Sequence, residues 1–202
     1  MSSPEYADRA DVELVPGYMR AYRFWSLFGG MLSDEALTDH PLLLYSLFGQ
    51  GLYWDRGVNT ARCVGYMKSV VPTRWAFTEE QFGRQCKRTP EPDCSCGFYG
   101  THHGLPSEYS DYPIGGSFKV FGRVILGTYG LRAEKVEVEA LCLNYRLLQG
   151  KSHYNRAHEL ADRYGVPLFL DERKLLKAFP PVDVSPLLGT ATPPNYYYYY
   201  SL

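Results

Sequence analysis

Cysteine and histidine side chains concentrate in one short stretch, RTPEPDCSCGFYGTHHG, near the middle of the chain. Thiolates and imidazoles are the donors that structural zinc ions use, four at a time in a tetrahedron. Two further cysteines precede the stretch. If these side chains converge in the fold, they predict a zinc site. The candidate metal ligands are, in chain order, Cys63, Cys86, Cys94, Cys96 and His102.

The spacing of these residues leaves three interpretations open. Cys94 and Cys96 are closer together than the paired ligands of common zinc sites, and no C-x-x-C pair accompanies them. The thiols could instead be small apolar groups buried under a turn. In the third interpretation one thiol is a nucleophile and His102 is its base. A metal-dependent nuclease built on THHG is disfavoured, because LPSEYSDYPIGG lacks the asparagine and further histidine that such a site needs.

Arginine alternates with aromatic side chains in the segment RAYRFW. Such a face can contact phosphates through arginine and stack on bases through the rings. In the alternative, the rings pack in the core and the arginine stems lie over them. The net charge of −1 gives a nucleic-acid partner no general support, although a local basic patch remains open. The candidate binding residues in this segment are Arg20, Tyr22, Arg23 and Trp25.

Composition narrows the class of protein. The chain has 202 residues, enough for one sizeable core. It contains no apolar run long enough for a transmembrane helix, and its first residues lack the features of a signal peptide. We therefore predict a cytoplasmic protein without a membrane partner. An odd number of cysteines, five, argues against a disulfide framework in that compartment.

The clearest regular signal is a β-hairpin over residues 118–143. FKVFGRVILGTYG and LRAEKVEVEALCL form its two arms, with the turn near Tyr129 and Gly130. The second arm alternates valine with glutamate, which is the period of a strand. A helix over that arm stays open, because its apolar residues also recur at helical spacing. Upstream, the aromatic segment 17–27 predicts a strand, and the apolar run 41–54 predicts a strand or short helix that turns into another strand.

The C-terminal part favours a helix, a strand and a second helix. Gly165 ends the first helix and Asp171 caps the second. We predict a single α+β domain over residues 13–180, built on a curved antiparallel sheet or partial barrel. A disordered arm over 1–12 and an extended, Pro- and Tyr-rich tail over 181–202 flank this domain.

The order of these motifs resembles a family of actinobacterial and actinobacteriophage proteins to which no activity is attached. The shared pattern is W-x2-G-x3-A-x-C, then P-x3-C-x-C-G-x-Y, then G-x-R-A, and it covers most of residues 17–169. It includes Cys63, Cys94 and Cys96, whereas Cys86 falls outside it. The resemblance implies a phage or actinobacterial origin and no particular chemistry. It adds three residues to the candidate binding set: Trp54, Tyr99 and Arg132.

These features predict a non-enzymatic binding or regulatory protein that engages a host protein or nucleic acid. The chain carries 18 tyrosines, 10 phenylalanines and 3 tryptophans, residue types that are common at interfaces. No glycine-rich phosphate loop and no complete catalytic set can be assembled from the sequence. The alternative is a small enzyme that uses a Cys–His pair or a metal-bound water.

Overall fold

The computed structural model of the chain describes residues 10–28, 42–46, 53–63, 86–92, 94, 96–144 and 151–188. Residues 1–9 of the predicted arm and the tyrosine run at 196–200 lie outside the described residues. The eight strands are β1 Ala10–Phe28, β2 Leu43–Tyr45, β3 Tyr53–Trp54, β4 Val58–Thr60, β5 Phe98–Gly100, β6 Ile114–Leu126, β7 Leu131–Leu143 and β8 Leu168–Phe169. The three α-helices are α1 Lys151–Tyr164, α2 Glu172–Ala178 and α3 Ser185–Leu188.

The architecture is mixed α+β, as predicted. One sheet holds the eight strands in the order β3-β2-β1-β6-β7-β4, and both β5 and β8 pair with β7. The sheet does not close into a barrel. Its pairings are antiparallel except that of β7 with β8, which is parallel.

The predicted hairpin is present as β6 and β7, which pair from Leu126↔Leu131 along their whole length. At the turn, the N–H of Gly127 donates to the carbonyl of Gly130 at 2.8 Å. The helical alternative for the second arm is wrong, because residues 131–143 form a strand that pairs on both sides. Gly122 has φ +68° beside a register shift in β6, a conformation that suits glycine at a bulge.

The sheet is covered on both faces. Along β1, Met19, Ala21 and Trp25 belong to one buried cluster, whereas Tyr22 and Phe24 belong to another. The first cluster takes in apolar residues of α1, and the second takes in Leu175 of α2. The predicted strand is therefore confirmed, and both of its faces carry buried side chains.

The helix signals of the C-terminal part are confirmed. Gly165 follows α1 with φ +69°, and its N–H donates to the carbonyl of Asp162. The carboxylate of Asp171 accepts from the N–H of Arg173 at 2.8 Å and caps α2. Helix, strand and helix follow one another in the predicted order.

Two boundaries differ from the prediction. β1 begins at Ala10, inside the range predicted as a disordered arm. The range predicted as an extended tail contains α3. The carboxylate of Asp183 accepts from the N–H of Ser185 at 2.9 Å, which supports the start of that helix. Among the described helices, none has both the length and the apolar character needed to span a membrane.

Candidate metal centre

Four cysteines from distant parts of the sequence converge. The Sγ atoms of all four lie within 4.8 Å of one another: those of Cys63, Cys86, Cys94 and Cys96. The four residues are half-buried. Within this group, the Sγ atoms of Cys63 and Cys94 lie 3.7 Å apart, and so do those of Cys86 and Cys96.

These distances fit a tetrahedron of thiolates. A zinc–sulfur bond of about 2.3 Å places the sulfur atoms of a regular tetrahedron about 3.8 Å apart. A disulfide would bring two sulfur atoms to about 2.0 Å, and all four cysteines are free. The group therefore has the number, type and spacing of donors that a four-coordinate metal ion requires.

The strand pairings explain why the cysteines meet. β4 ends with Thr60 opposite Lys135 of β7, and β5 begins with Phe98 opposite Ala133 of the same strand. The end of β4 and the start of β5 therefore lie next to each other along β7. Cys63 lies just after β4, and Cys94 and Cys96 lie just before β5, so these three cysteines begin close together.

A tight turn shapes the loop that carries Cys94. The N–H of Cys94 donates to the carbonyl of Glu91 at 3.1 Å. The carboxylate of Glu91 accepts in turn from the N–H groups of Lys87 and Arg88, at 3.0 and 3.3 Å. Gly97 has φ +114°, and an added Cβ would lie 3.1 Å from Pro90 Cβ. This close, left-handed position favours glycine.

Arg132 lies behind this loop and is only 4 % exposed. Its guanidinium donates to the main-chain carbonyls of Cys94, Cys96 and Pro92, the last two at 3.3 and 3.4 Å. Its Cζ lies 5.9 Å from the centre of the Tyr99 ring. Sequence reasoning placed Arg132 among binding residues, and the structure places it against the cysteine loop.

Two of these thiols, those of Cys86 and Cys96, are poor nucleophiles in this setting. Burial raises the pKa of Cys96, and burial together with the neighbouring thiols raises the pKa of Cys86. A reactive cysteine needs a lowered pKa. The direction of both shifts therefore disfavours Cys86 and Cys96 as nucleophiles.

His102, the fifth predicted ligand, is not part of the converging group. Its Nε2 lies 3.1 Å from the carbonyl of Gly127 at the hairpin turn, so this nitrogen donates there. Burial lowers the pKa of His102. The fifth cysteine, Cys142, lies apart in β7, and burial raises its pKa to about 12.

Three of the four aromatic candidates for binding lie in the interior, and the fourth, Tyr99, is half-buried. Tyr22, Trp25 and Trp54 are completely buried. The two indole rings meet edge to face at 5.3 Å. Arg23 is 7 % exposed, with its Cζ 5.0 Å from the Trp54 ring, and it donates to the carbonyl of Tyr99. Of the two interpretations of RAYRFW, the fold supports core packing.

Arg20 holds the C-terminal segment on the sheet. It donates from Nε and Nη2 to the carboxylate of Glu139, at 2.5 and 2.8 Å, and from Nη1 to the carbonyl of Pro180 at 3.0 Å. The hydroxyl of Tyr22 donates to the carbonyl of Phe179 at 2.6 Å. These contacts give both side chains a structural role.

The fold and the site together define a mixed α+β chain with a four-cysteine group suited to a metal ion. No family model matches the chain, and neither the curated proteins nor the solved structures provide a match. The resemblance to actinobacterial and phage proteins stays a prediction.

Proposed function

We propose that this chain is a non-enzymatic binding protein whose loops are held in place by one structural zinc ion. Its ligands are Cys63, Cys86, Cys94 and Cys96. The observation that carries the proposal is the convergence of their four Sγ atoms within 4.8 Å. In this proposal residues 13–180 form a single domain that includes the four cysteines.

A structural role follows from the number of ligands. Four protein donors close the coordination sphere, whereas a catalytic zinc keeps one position open for water or substrate. A set of four thiolates is typical of zinc or of iron, and zinc is the ion without redox chemistry. The enzymatic alternative with a metal-bound water would need one of the four cysteines to leave the ion.

The ion would contribute to folding as a cross-link. Cys63 and Cys94 are 31 residues apart, and bringing the two ends of such a loop together has an entropic cost that a cross-link offsets. Structural zinc sites supply folding free energy directly, because the assembled site does not exist in the unfolded chain. The centre thus takes the place of apolar packing at the edge of β7.

Metal analysis tests the zinc proposal. The purified full chain, loaded with zinc and desalted, should carry one zinc per chain in native mass spectrometry. Cys94→Ser should carry none. Cys142→Ser is the matched control, because it removes a thiol outside the group and should keep the ion. A wild-type chain without bound metal would overturn the proposal, and iron in its place would overturn the choice of zinc.

A second part of the proposal concerns the partner. Arg62, Lys87 and Arg88 are exposed, and we call them the basic rim. Arg62 adjoins the ligand Cys63, and Lys87 follows the ligand Cys86. Folding of the loops around the ion would bring these cations together. Clustered, exposed cations attract phosphate groups, so we propose a nucleic acid as the partner and the basic rim as its contact surface.

Salt-dependent retention tests the partner. The zinc-loaded chain should bind a duplex DNA or RNA column and elute with added salt. Replacing the basic rim by three alanines should weaken retention and lower the salt slope by about 3 on duplex DNA, roughly one for each lost phosphate contact. The control replaces three exposed cations of α2 by alanine, which changes the charge equally: Arg173, Lys174 and Lys177.

The control variant should elute close to wild type. Equal loss in the two variants would mean that net charge alone governs retention, and would overturn the basic rim as the contact surface. No retention of the zinc-loaded wild type on either column would overturn the nucleic-acid partner in favour of a protein.

A further inference from the structure

Burial of the Arg132 guanidinium is electrostatically costly, and the four cysteines can supply the compensating negative charge. Its guanidinium is permanently charged, and burial of a charge is costly unless an opposite charge compensates for it. Arg132 is 4 % exposed. Within the described part of the chain its guanidinium donates to three main-chain carbonyls and also interacts with the neutral side chain of Tyr99, whereas the ion pairs found there do not include it.

The carbonyls that it contacts belong to the cysteine loop. Two of them are those of Cys94 and Cys96, and the third is that of Pro92. Four neutral thiols would offer this guanidinium no anionic neighbour. Four thiolates around a divalent cation carry a net charge of −2, so they would supply the missing negative charge next to it.

We infer that Arg132 is the positioning residue and counter-ion of a dianionic tetrathiolate centre, an inference that rests on the proposed zinc site. Arg132 is not a ligand. It fixes the carbonyls of Cys94 and Cys96, so that their Sγ atoms face the ion, and its charge offsets the net negative charge of the occupied centre.

The shape of the side chain matters as well as its charge. A guanidinium is a planar fork with five N–H donors, so it can bond to several carbonyls at once. An ammonium group at the same position would retain the charge but could not match this fork geometry. A lysine at position 132 should therefore weaken zinc binding less than an uncharged side chain does, because it keeps the positive charge and loses only the fork geometry.

The inference predicts a graded loss of metal affinity. Competition of the zinc-loaded full chain with a chelator would be measured for wild type, Arg132→Lys and Arg132→Gln. We expect Arg132→Gln to lower zinc affinity by about 10- to 100-fold, as is usual when a residue that supports metal ligands is removed. Arg132→Lys should fall between this variant and wild type.

Arg23→Gln is the matched control. Arg23 is also nearly buried and also donates to main-chain carbonyls, those of Phe24 and Tyr99, but neither belongs to a cysteine. Its loss should lower the melting temperatures of the zinc-loaded and chelated forms together. Loss of Arg132 should instead shrink the difference between these two melting temperatures.

The outcomes separate the inference from the proposed site. Zinc affinity of Arg132→Gln equal to that of wild type would overturn the inference and leave the zinc site intact. A wild-type chain that binds neither zinc nor cobalt would overturn the site and the inference with it. If Arg132→Gln does not fold, Arg132→Lys decides: weakened zinc binding supports the inference, and unchanged binding overturns it.

Discussion

The Sγ atoms of Cys63 and Cys94 lie 3.7 Å apart, although 31 positions separate the two residues in the sequence. The pair Cys86 and Cys96 repeats the same distance. Because β4 and β5 join β7 at neighbouring positions, the edge of this strand brings the loops together. A metal ion bound here would therefore cross-link the chain segment that follows β4 to the one that precedes β5.

Removal of the ion should destabilise the fold as much as removal of a ligand. We expect a chelator to lower the melting temperature of the wild-type chain to that of Cys63→Ser, because both changes abolish the same cross-link. The chelator should have no further effect on Cys63→Ser. Differential scanning calorimetry measures both. Identical melting curves of the wild type with and without chelator would contradict a structural ion.

Gly97→Ala should disturb the centre more than Gly57→Ala. Both glycines have positive φ, +114° and +83°, so both substitutions incur backbone strain. Only at Gly97 does the added Cβ meet neighbours, with Pro90 Cβ at 3.1 Å and the carbonyl of Ala133 at 3.3 Å. Chelator competition should show weaker zinc binding for Gly97→Ala alone. Equal zinc affinity of the two variants would count against the tight turn as a support of the site.

Glu139→Gln should cost more stability than Glu137→Gln. Glu139 forms a bidentate ion pair with Arg20, and the two side chains are 9 % and 15 % exposed. Loss of one partner of such a pair costs about 3 kcal/mol, because it leaves a charge with little solvent. Glu137 pairs with Lys119 at 3.4 Å in a more exposed setting, where the loss is below about 1 kcal/mol. Urea unfolding distinguishes the two, and similar losses would refute the structural role of Arg20.

Acid should weaken the fold through His103. Burial, followed by the neighbouring charge of His102, lowers the pKa of His103 to about 4. The unfolded chain then binds more protons between its ordinary pKa of about 6.5 and pH 4, so stability falls as the pH drops through this window. The loss is about 2 kcal/mol after allowance for partial exposure.

The control for this prediction is His103→Gln, which removes the titrating group and leaves the metal site unchanged. Any acid effect on zinc binding is common to both chains and cancels in their difference. Urea unfolding at pH 7 and pH 4.5 should therefore show a smaller loss for His103→Gln. A loss equal to that of the wild type would exclude His103 as the source.

The hairpin was predictable because its signal is local. Valine and glutamate alternate along β7, and a glycine-containing turn joins it to β6, so periodicity alone indicates both strands. The same holds for Asp171 as the cap of α2. Each of these features depends on residues that are close in sequence.

Core packing of RAYRFW was one of two interpretations that the sequence allowed, and local periodicity could not decide between them. Alternation correctly divides β1 into two faces, but it does not show that both are covered. That depends on helices more than a hundred residues downstream. Likewise, the sequence named Cys86 as a candidate ligand but could not show that it, and not His102, joins the other three cysteines.

The most direct test of the zinc centre is a cobalt titration of the chelated, reduced full chain. Cobalt occupies zinc sites, and its visible spectrum reports tetrahedral coordination by thiolates. The account predicts an intense tetrathiolate spectrum that saturates at one cobalt per chain and disappears when zinc is added. A chain that shows no such absorption with equimolar cobalt would contradict the central claim that Cys63, Cys86, Cys94 and Cys96 bind one metal ion.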